Sequence, residues 1–252
     1  MSDWNSQQYL KFRHQRSQPA IDLANRLRQY DPRSIVDIGC GSGNSTSVLR
    51  TIFPKAALLG IDSSPNMIEQ ARRAHPQLVF CLCDVQALTG QYDLMFSNAC
   101  FQWVPDHQAL FPALMEKLSP GGVLAVQMPH NQEEPFYRII SQVAEEPRWG
   151  LKGVRLAKND ILEPEEYCRI LSRCSSGFEM WETQYYHFLP DHPALLEWVK
   201  GARLRPYLDA MDEETGQAFQ AELLRHAREA YPVAEDGTIL FRFRRLFFTA
   251  VK

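Results

Sequence analysis

Residues 34–46, Ser-Ile-Val-Asp-Ile-Gly-Cys-Gly-Ser-Gly-Asn-Ser-Thr, limit what this chain can fold into more than any other stretch. A β-branched apolar run leads into glycines at alternate positions, Gly39, Gly41 and Gly43, and then into Asn44-Ser45-Thr46, which suit the opening of a helix. That order is a buried parallel strand, a tight turn and a helix N-terminus. Glycine serves such a turn by taking positive φ and by leaving no Cβ between the backbone and a ligand. The spacing is D-x-G-x-G-x-G, which is neither the G-x-G-x-x-G fingerprint for a pyrophosphate nor a phosphate-cradling P-loop. Asp37, two residues before the first glycine, opposes a pyrophosphate and suits a ligand that carries an ammonium group. The plain alternative is an ordinary strand-to-helix turn.

Two further acids fall at strand ends. Ala57–Ile61 reads as a second strand closed by Asp62, about 20 residues after the glycines, where a carboxylate can accept from both hydroxyls of a ribose. Ser63-Ser64-Pro65 then opens a helix with proline in its first turn, and Met67 on that turn can pack on a purine. Leu78–Cys83 reads as a third strand closed by Asp84, placed to accept from an exocyclic amine, with the Val85 amide beside it. Helix capping is the alternative for Asp62, and a solvated loop for Asp84. Three acids at successive strand tips make a stronger pattern than any one of them, because ligands of open α/β sheets bind at the carboxyl ends of the strands. Tyr92–Asn98 is the fourth strand. Leu118-Ser119-Pro120-Gly121-Gly122 supplies a helix end and a turn before the fifth, Val123–Val126.

At 252 residues and 45% hydrophobic, the chain is long enough for one large α/β domain. A net charge of -3 leaves no electrostatic footprint for nucleic acid. No apolar run approaches the roughly 20 residues of a membrane span. The polar Met-Ser-Asp-Trp-Asn start lacks a signal peptide's apolar centre. Six cysteines without zinc-like spacing read as reduced thiols, so the expected location is cytoplasmic.

Outside the core the pattern changes. Residues 1–33, with Trp4, Tyr9, Phe12, Arg13 and Arg16, suit amphipathic helices forming a flap, or else a helix packed on the sheet. Beyond Met128, residues 136–173 read as helices broken at Pro147 and Gly150. Phe178–Leu189 and Gly237–Val251 read as strands six and seven. Between these, residues 190–236 carry strong helical periodicity, as a cap would. The expected division is 1–33 flap, 34–128 cofactor core and 129–252 substrate side, all one domain. Arginines recur on that side, and a planar, permanently charged guanidinium suits carboxylates. Arg16, Arg205 and Arg245 stand beside aromatic or apolar residues that could hold them. His130, Tyr185, Tyr186 and His187 follow as hydrogen-bond donors.

The glycine loop, the strand-end acids and the helix-Pro-Gly-Gly-strand segment together resemble the class I S-adenosylmethionine-dependent methyltransferases. The resemblance implies a Rossmann-like α/β fold with a seven-stranded, mostly parallel sheet whose last strand is antiparallel, plus the N-terminal flap and the helical insertion between strands six and seven. It implies cofactor binding by Asp37, Gly39, Gly41, Gly43, Asp62, Ser63, Met67, Asp84, Val85, Asn98, Phe101 and Trp103, the last three lining the methyl-transfer channel. Phe101-Gln102-Trp103-Val104-Pro105-Asp106-His107, Val123–Pro129, Tyr185-Tyr186-His187, Leu204-Arg205-Pro206 and Arg245-Leu246-Phe247 are similar, more narrowly, to the trans-aconitate 2-methyltransferase family. That implies esterification of one carboxylate of a small tricarboxylic acid. An ordinary carboxylate, with a pKa of ~4, is already ionised at neutral pH, so neither a general base nor a metal is required. Arg16, His130, Tyr185, Tyr186, His187, Arg205 and Arg245 would position the acid. Another small acid or an acyl-carrier thioester as acceptor, a nicotinamide-linked oxidoreductase, and a non-catalytic binding module stay open.

Overall fold

The structure, a computed structural model, describes residues 13–151, 153–154, 161–200 and 204–252, with side chains of the first helix from Ser17 onward. β1 (Ser34–Ile38), β2 (Ala57–Asp62), β3 (Val79–Leu82), β4 (Tyr92–Asn98) and β5 (Leu118–Pro129) run parallel. β7 (Ile239–Val251) lies antiparallel between β5 and β6 (Gly177–Leu189), so the order is β3-β2-β1-β4-β5-β7-β6. The helices are α1 (Arg13–Arg26), α2 (Asn44–Ile52), α3 (Pro65–Ala74), α4 (His107–Glu116), α5 (Pro135–Ala144), α6 (Pro164–Cys174), α7 (His192–Val199), α8 (Arg205–Leu208) and α9 (Glu213–Ala230). The anticipated strands and the helical cap are all found, within a residue or two at their ends except for β5, which starts five residues before and ends three residues after the expected Val123–Val126.

One difference concerns the Pro-Gly-Gly turn. Pro120-Gly121-Gly122 lies inside β5, where the register against β4 slips between Tyr92 and Leu94. A Cβ on Gly122 would stand 2.8 Å from the Ser119 carbonyl oxygen, so the irregularity needs glycine there.

Alternation along the strands divides the apolar residues between two faces. On one face, Ala20, Leu23 and Ala24 of α1, Leu27 just past its end, and Leu49 of α2 bury against Ile35, Leu58, Leu94, Phe96, Val123 and Phe247. Much of the expected flap is therefore a helix seated on the sheet, while residues 1–12 lie outside the described ones. On the other face, Phe111 and Leu114 of α4 and Tyr167 and Leu171 of α6 cover Val36, Met95, Val126 and Phe248. A third core unites the cap: Phe136, Ile140, Leu195, Trp198, Phe219 and Leu223 close over Ile239, Phe241 and Phe243 of β7. β7 thus contributes to all three interiors.

Candidate active site

The carboxyl ends of β1, β2 and β4 converge beside the glycine loop. Asp37 is wholly buried. Its Oδ2 accepts from Ser45 Oγ at 2.7 Å and Thr46 Oγ1 at 2.6 Å, fastening α2 to β1. Its Oδ1 is buried with no hydrogen-bond partner. Burial pushes the carboxyl up to about 6, against the pull of both hydroxyls, and Asp62 adds to the rise. Asp62 accepts from the Gly41 amide at 3.0 Å and the Ser64 amide at 2.8 Å. Burial raises it too, opposed by those amides. A carboxylate offers about four lone-pair sites, so Asp62 retains capacity for a ligand while it fixes the loop. Asp84 is exposed and caps the short 3-10 turn at Val85, accepting from the Gln86 amide at 2.8 Å. The Cys100 thiol is pushed up to about 12 chiefly by burial, with Asp62, then Asp37 and last Asp84 adding to the rise.

The glycines divide the labour differently from the expectation. Gly39, Gly41 and Gly43 all take positive φ. A Cβ on Gly39 would fall 2.3 Å from the Cys100 Cβ, and one on Gly43 would fall 2.8 Å from His75 and Phe80. Protein packing, not ligand approach, demands those two. Gly41 alone faces open space. Beside it, Ser63 is exposed and Met67 nearly buried on the first turn of α3. Asn98, at the end of β4, holds a buried Oδ1 without a partner. Trp103 is 37% exposed, whereas Phe101 is fully buried edge-on to Phe111. Phe101 thus belongs to the core beneath the loop; an aromatic two residues from Trp103 turns inward on the 3-10 turn that holds both.

On the substrate side, residues grouped by the sequence part company. Arg245 is 5% exposed, its guanidinium 4.5 Å over the Phe243 ring and donating to Gln127 Oε1 at 3.2 Å. Tyr185 lies on the same sheet face and donates to Asp22 Oδ2 of α1 at 2.6 Å. Burial and Asp22 raise its phenol, while Arg245 opposes the rise. Tyr186, one residue on, points to the opposite face and is 54% exposed, because successive strand residues alternate. His187 returns to the first face but lies under the cap, with its ring centroid 4.5 Å from that of Trp198. His130 stands on the opposite face, its Nδ1 2.5 Å from Glu182 and its Nε2 3.7 Å from Glu163. Both ring nitrogens thus stand beside carboxylates of the protein itself. Arg205 lies on the short α8, with Nε 3.6 Å from Asp209. The Arg16 side chain lies outside the described residues.

The sequence reading missed Gln127. A lone amide inside the apolar run Val123-Leu124-Ala125-Val126-Gln127-Met128, on a strand covered on both faces, was the signal available. Among the described residues, Glu146, Glu222 and His226 come close enough to share a cation, yet Glu222 is held by Arg225 at 2.9 Å and Arg148 at 3.2 Å. A surface hollow of about 320 Å³, lined by Tyr30, Asp93 and Gly121 among others, lies at the opposite rim, by the amino ends of β1 and β4.

Comparison with known proteins adds to this geometry. A family model described as a methyltransferase domain matches residues 12–183. The trans-aconitate 2-methyltransferase of Methylobacterium nodulans is 43% identical over 99% of this chain and 98% of its own length. That of Escherichia coli O1:K1 is 42% identical over 99% and 98%. Among solved structures, the YcgJ protein of Bacillus aligns with a TM-score of 0.62 at 12% identity over 93% of this chain and 98% of its own. Phosphoethanolamine N-methyltransferase 2 of Haemonchus contortus, in complex with S-adenosyl-L-methionine, aligns at 0.55 and 18% identity over 93% of this chain and 52% of its own. At such identities these two speak to the fold alone.

Proposed function

The chain belongs to the trans-aconitate 2-methyltransferase family, and we propose that the carboxyl ends of β1 to β5, with β7 beside them, carry that reaction. The enzyme methylates a carboxylate of trans-aconitate with S-adenosylmethionine as co-substrate, giving the monomethyl ester and S-adenosylhomocysteine. The observation that carries this is kinship of about 40% or more across essentially the whole chain, cap included. It favours the tricarboxylic acid over the acyl-carrier alternative.

The residues fit the co-substrate. Two buried acceptors without partners, Asp37 Oδ1 and Asn98 Oδ1, are suited to a cationic amino-acid group. Asp62, in reach of the Gly41 amide, offers its remaining lone pairs to ribose hydroxyls, and Asp84 with Val85 offers an edge for adenine. The bound sulfonium supplies an electrophilic methyl carbon: a carboxylate oxygen forms the new C–O bond, the C–S bond breaks, and its electron pair stays on sulfur. No proton moves, so the protein's work is orientation and water exclusion. Arg245, buried and braced by Phe243 and Gln127, is the natural anchor for a carboxylate that is not being methylated. Arg205 and Arg16 are proposed to assist Arg245 in holding the acid. No helix among the described residues is long and apolar enough to cross a membrane.

Ester formation and release of S-adenosylhomocysteine, followed with trans-aconitate, cis-aconitate, citrate and isocitrate as acceptors, test the reading. The highest kcat/KM is expected for trans-aconitate; absence of ester from that acid overturns it.

A further inference from the structure

We propose that Gln127 reads the acceptor acid, donating through Nε2 to one particular carboxylate, and so sets which acids the site accepts. This rests on the assignment above of a tricarboxylate acceptor. Gln127 is fully buried on β5, level with Asn98 of β4 and Phe247 of β7, on the face that carries Arg245. Its carboxamide cannot turn freely. A guanidinium has donors and no acceptor, so the amide must present Oε1 to Arg245, as it does at 3.2 Å. The NH2 end is thereby forced the other way, and there Nε2 is buried without a hydrogen-bond partner. Leaving a buried donor unsatisfied costs about 1–3 kcal/mol. A leucine or methionine at this position of an otherwise apolar strand would carry no such cost. Nε2 is the complement of a carboxylate oxygen.

The pairing also explains why an amide and not an acid stands beside Arg245. A glutamate would neutralise the guanidinium and set a negative charge where the substrate must bring its own. With glutamine, Arg245 keeps its full charge for the ligand while its position is fixed by a neutral acceptor. Gln127 Nε2 and the Arg245 guanidinium, held 4.5 Å over the Phe243 ring, are thus neighbouring N–H donors.

The test pairs deletions in the protein with deletions in the ligand. Trans-aconitate loses one carboxylate at a time in mesaconate, glutaconate and itaconate. Inhibition constants of these three, and KM and kcat for trans-aconitate, are measured for wild type, Gln127→Met and Gln127→Glu, with melting temperature and S-adenosylmethionine affinity as controls. Gln127→Met should lower kcat/KM for trans-aconitate roughly 10- to 100-fold, mostly through KM. It should weaken two of the dicarboxylates comparably but leave the third, which lacks the carboxylate that Gln127 grips, within about threefold. Gln127→Glu keeps the contact to Arg245 and should fold as well as wild type, yet lose more activity than Gln127→Met. Uniform losses across all four acids, or a Gln127→Glu enzyme within about threefold of wild type, would overturn the proposal. If wild type forms no ester from trans-aconitate, the functional reading falls first. Binding of the same acids to the S-adenosylhomocysteine-loaded protein then reads the Gln127 contact independently.

Discussion

The Asp37 carboxyl does two jobs at once, and its titration shows the tension. One oxygen is tied to the Ser45 and Thr46 hydroxyls, yet full burial lifts the group from its ordinary 3.8 to about 6. A folded-state value above the unfolded one means the native protein holds the proton more tightly. The stability this group lends is therefore whole below pH 4 and lost as pH climbs through 6. Asp37→Asn has no such titration. Relative to wild type it should gain on the order of 3 kcal/mol of unfolding free energy between pH 4 and pH 7.5, as read by urea denaturation without ligand. A difference that stays flat across that range would contradict the assignment. The placing of Asp62 and Asp84 was legible in the sequence because strand ends are marked by where an apolar run stops, and that of Asp37, one residue inside the end of β1, because the glycine loop follows it. The faces taken by Tyr186 and His130 were not. Which face a strand residue takes depends on its partner strands, and the two carboxylates beside His130 come from Glu163 and Glu182, more than 30 residues away along the chain.

The glycine loop is one element with two kinds of glycine. Gly39 and Gly41 have similar positive φ, 70° and 54°, but different surroundings: Cys100 fills the space over the first, and nothing lies within 4 Å of the second. Gly39→Ala adds a clash with Cys100 to the backbone strain and should lower stability by about 2–4 kcal/mol, partly relieved in a Gly39→Ala/Cys100→Ala double variant. Gly41→Ala should cost only about 1–2 kcal/mol but weaken S-adenosylmethionine binding at least tenfold. Thermal melts and calorimetric titration separate the two effects, and equal behaviour of both variants would refute the distinction. Spacing alone announced the loop. It could not say which glycine is packed against protein and which faces open space, because the side chain that decides, Cys100, arrives from the loop after β4.

At the scale of the molecule, a phenol latches the end of α9 to the start of α5. Tyr231, at the end of α9, donates to Glu134 at 2.8 Å and accepts from the Phe136 amide at 3.0 Å. Tyr231→Phe leaves both without their partner and should lower stability by about 1–3 kcal/mol. It should also raise KM for the acid while S-adenosylmethionine affinity holds; a weakened co-substrate site instead would show that the cap bears on both ligands. Helical periodicity between two β-rich segments was enough to foresee the cap. What it closes upon was not, since that core is completed by Ile239, Phe241 and Phe243, far off in sequence. The same strand goes on to supply Phe247 beneath α1 and Leu246, Phe248 and Ala250 beneath α4 and α6. Thirteen consecutive residues thus stitch three oily compartments with a single thread. Heat cannot empty one compartment without pulling that thread from the others, so the calorimetric and van't Hoff enthalpies should agree, and a protein that looks layered should melt as one.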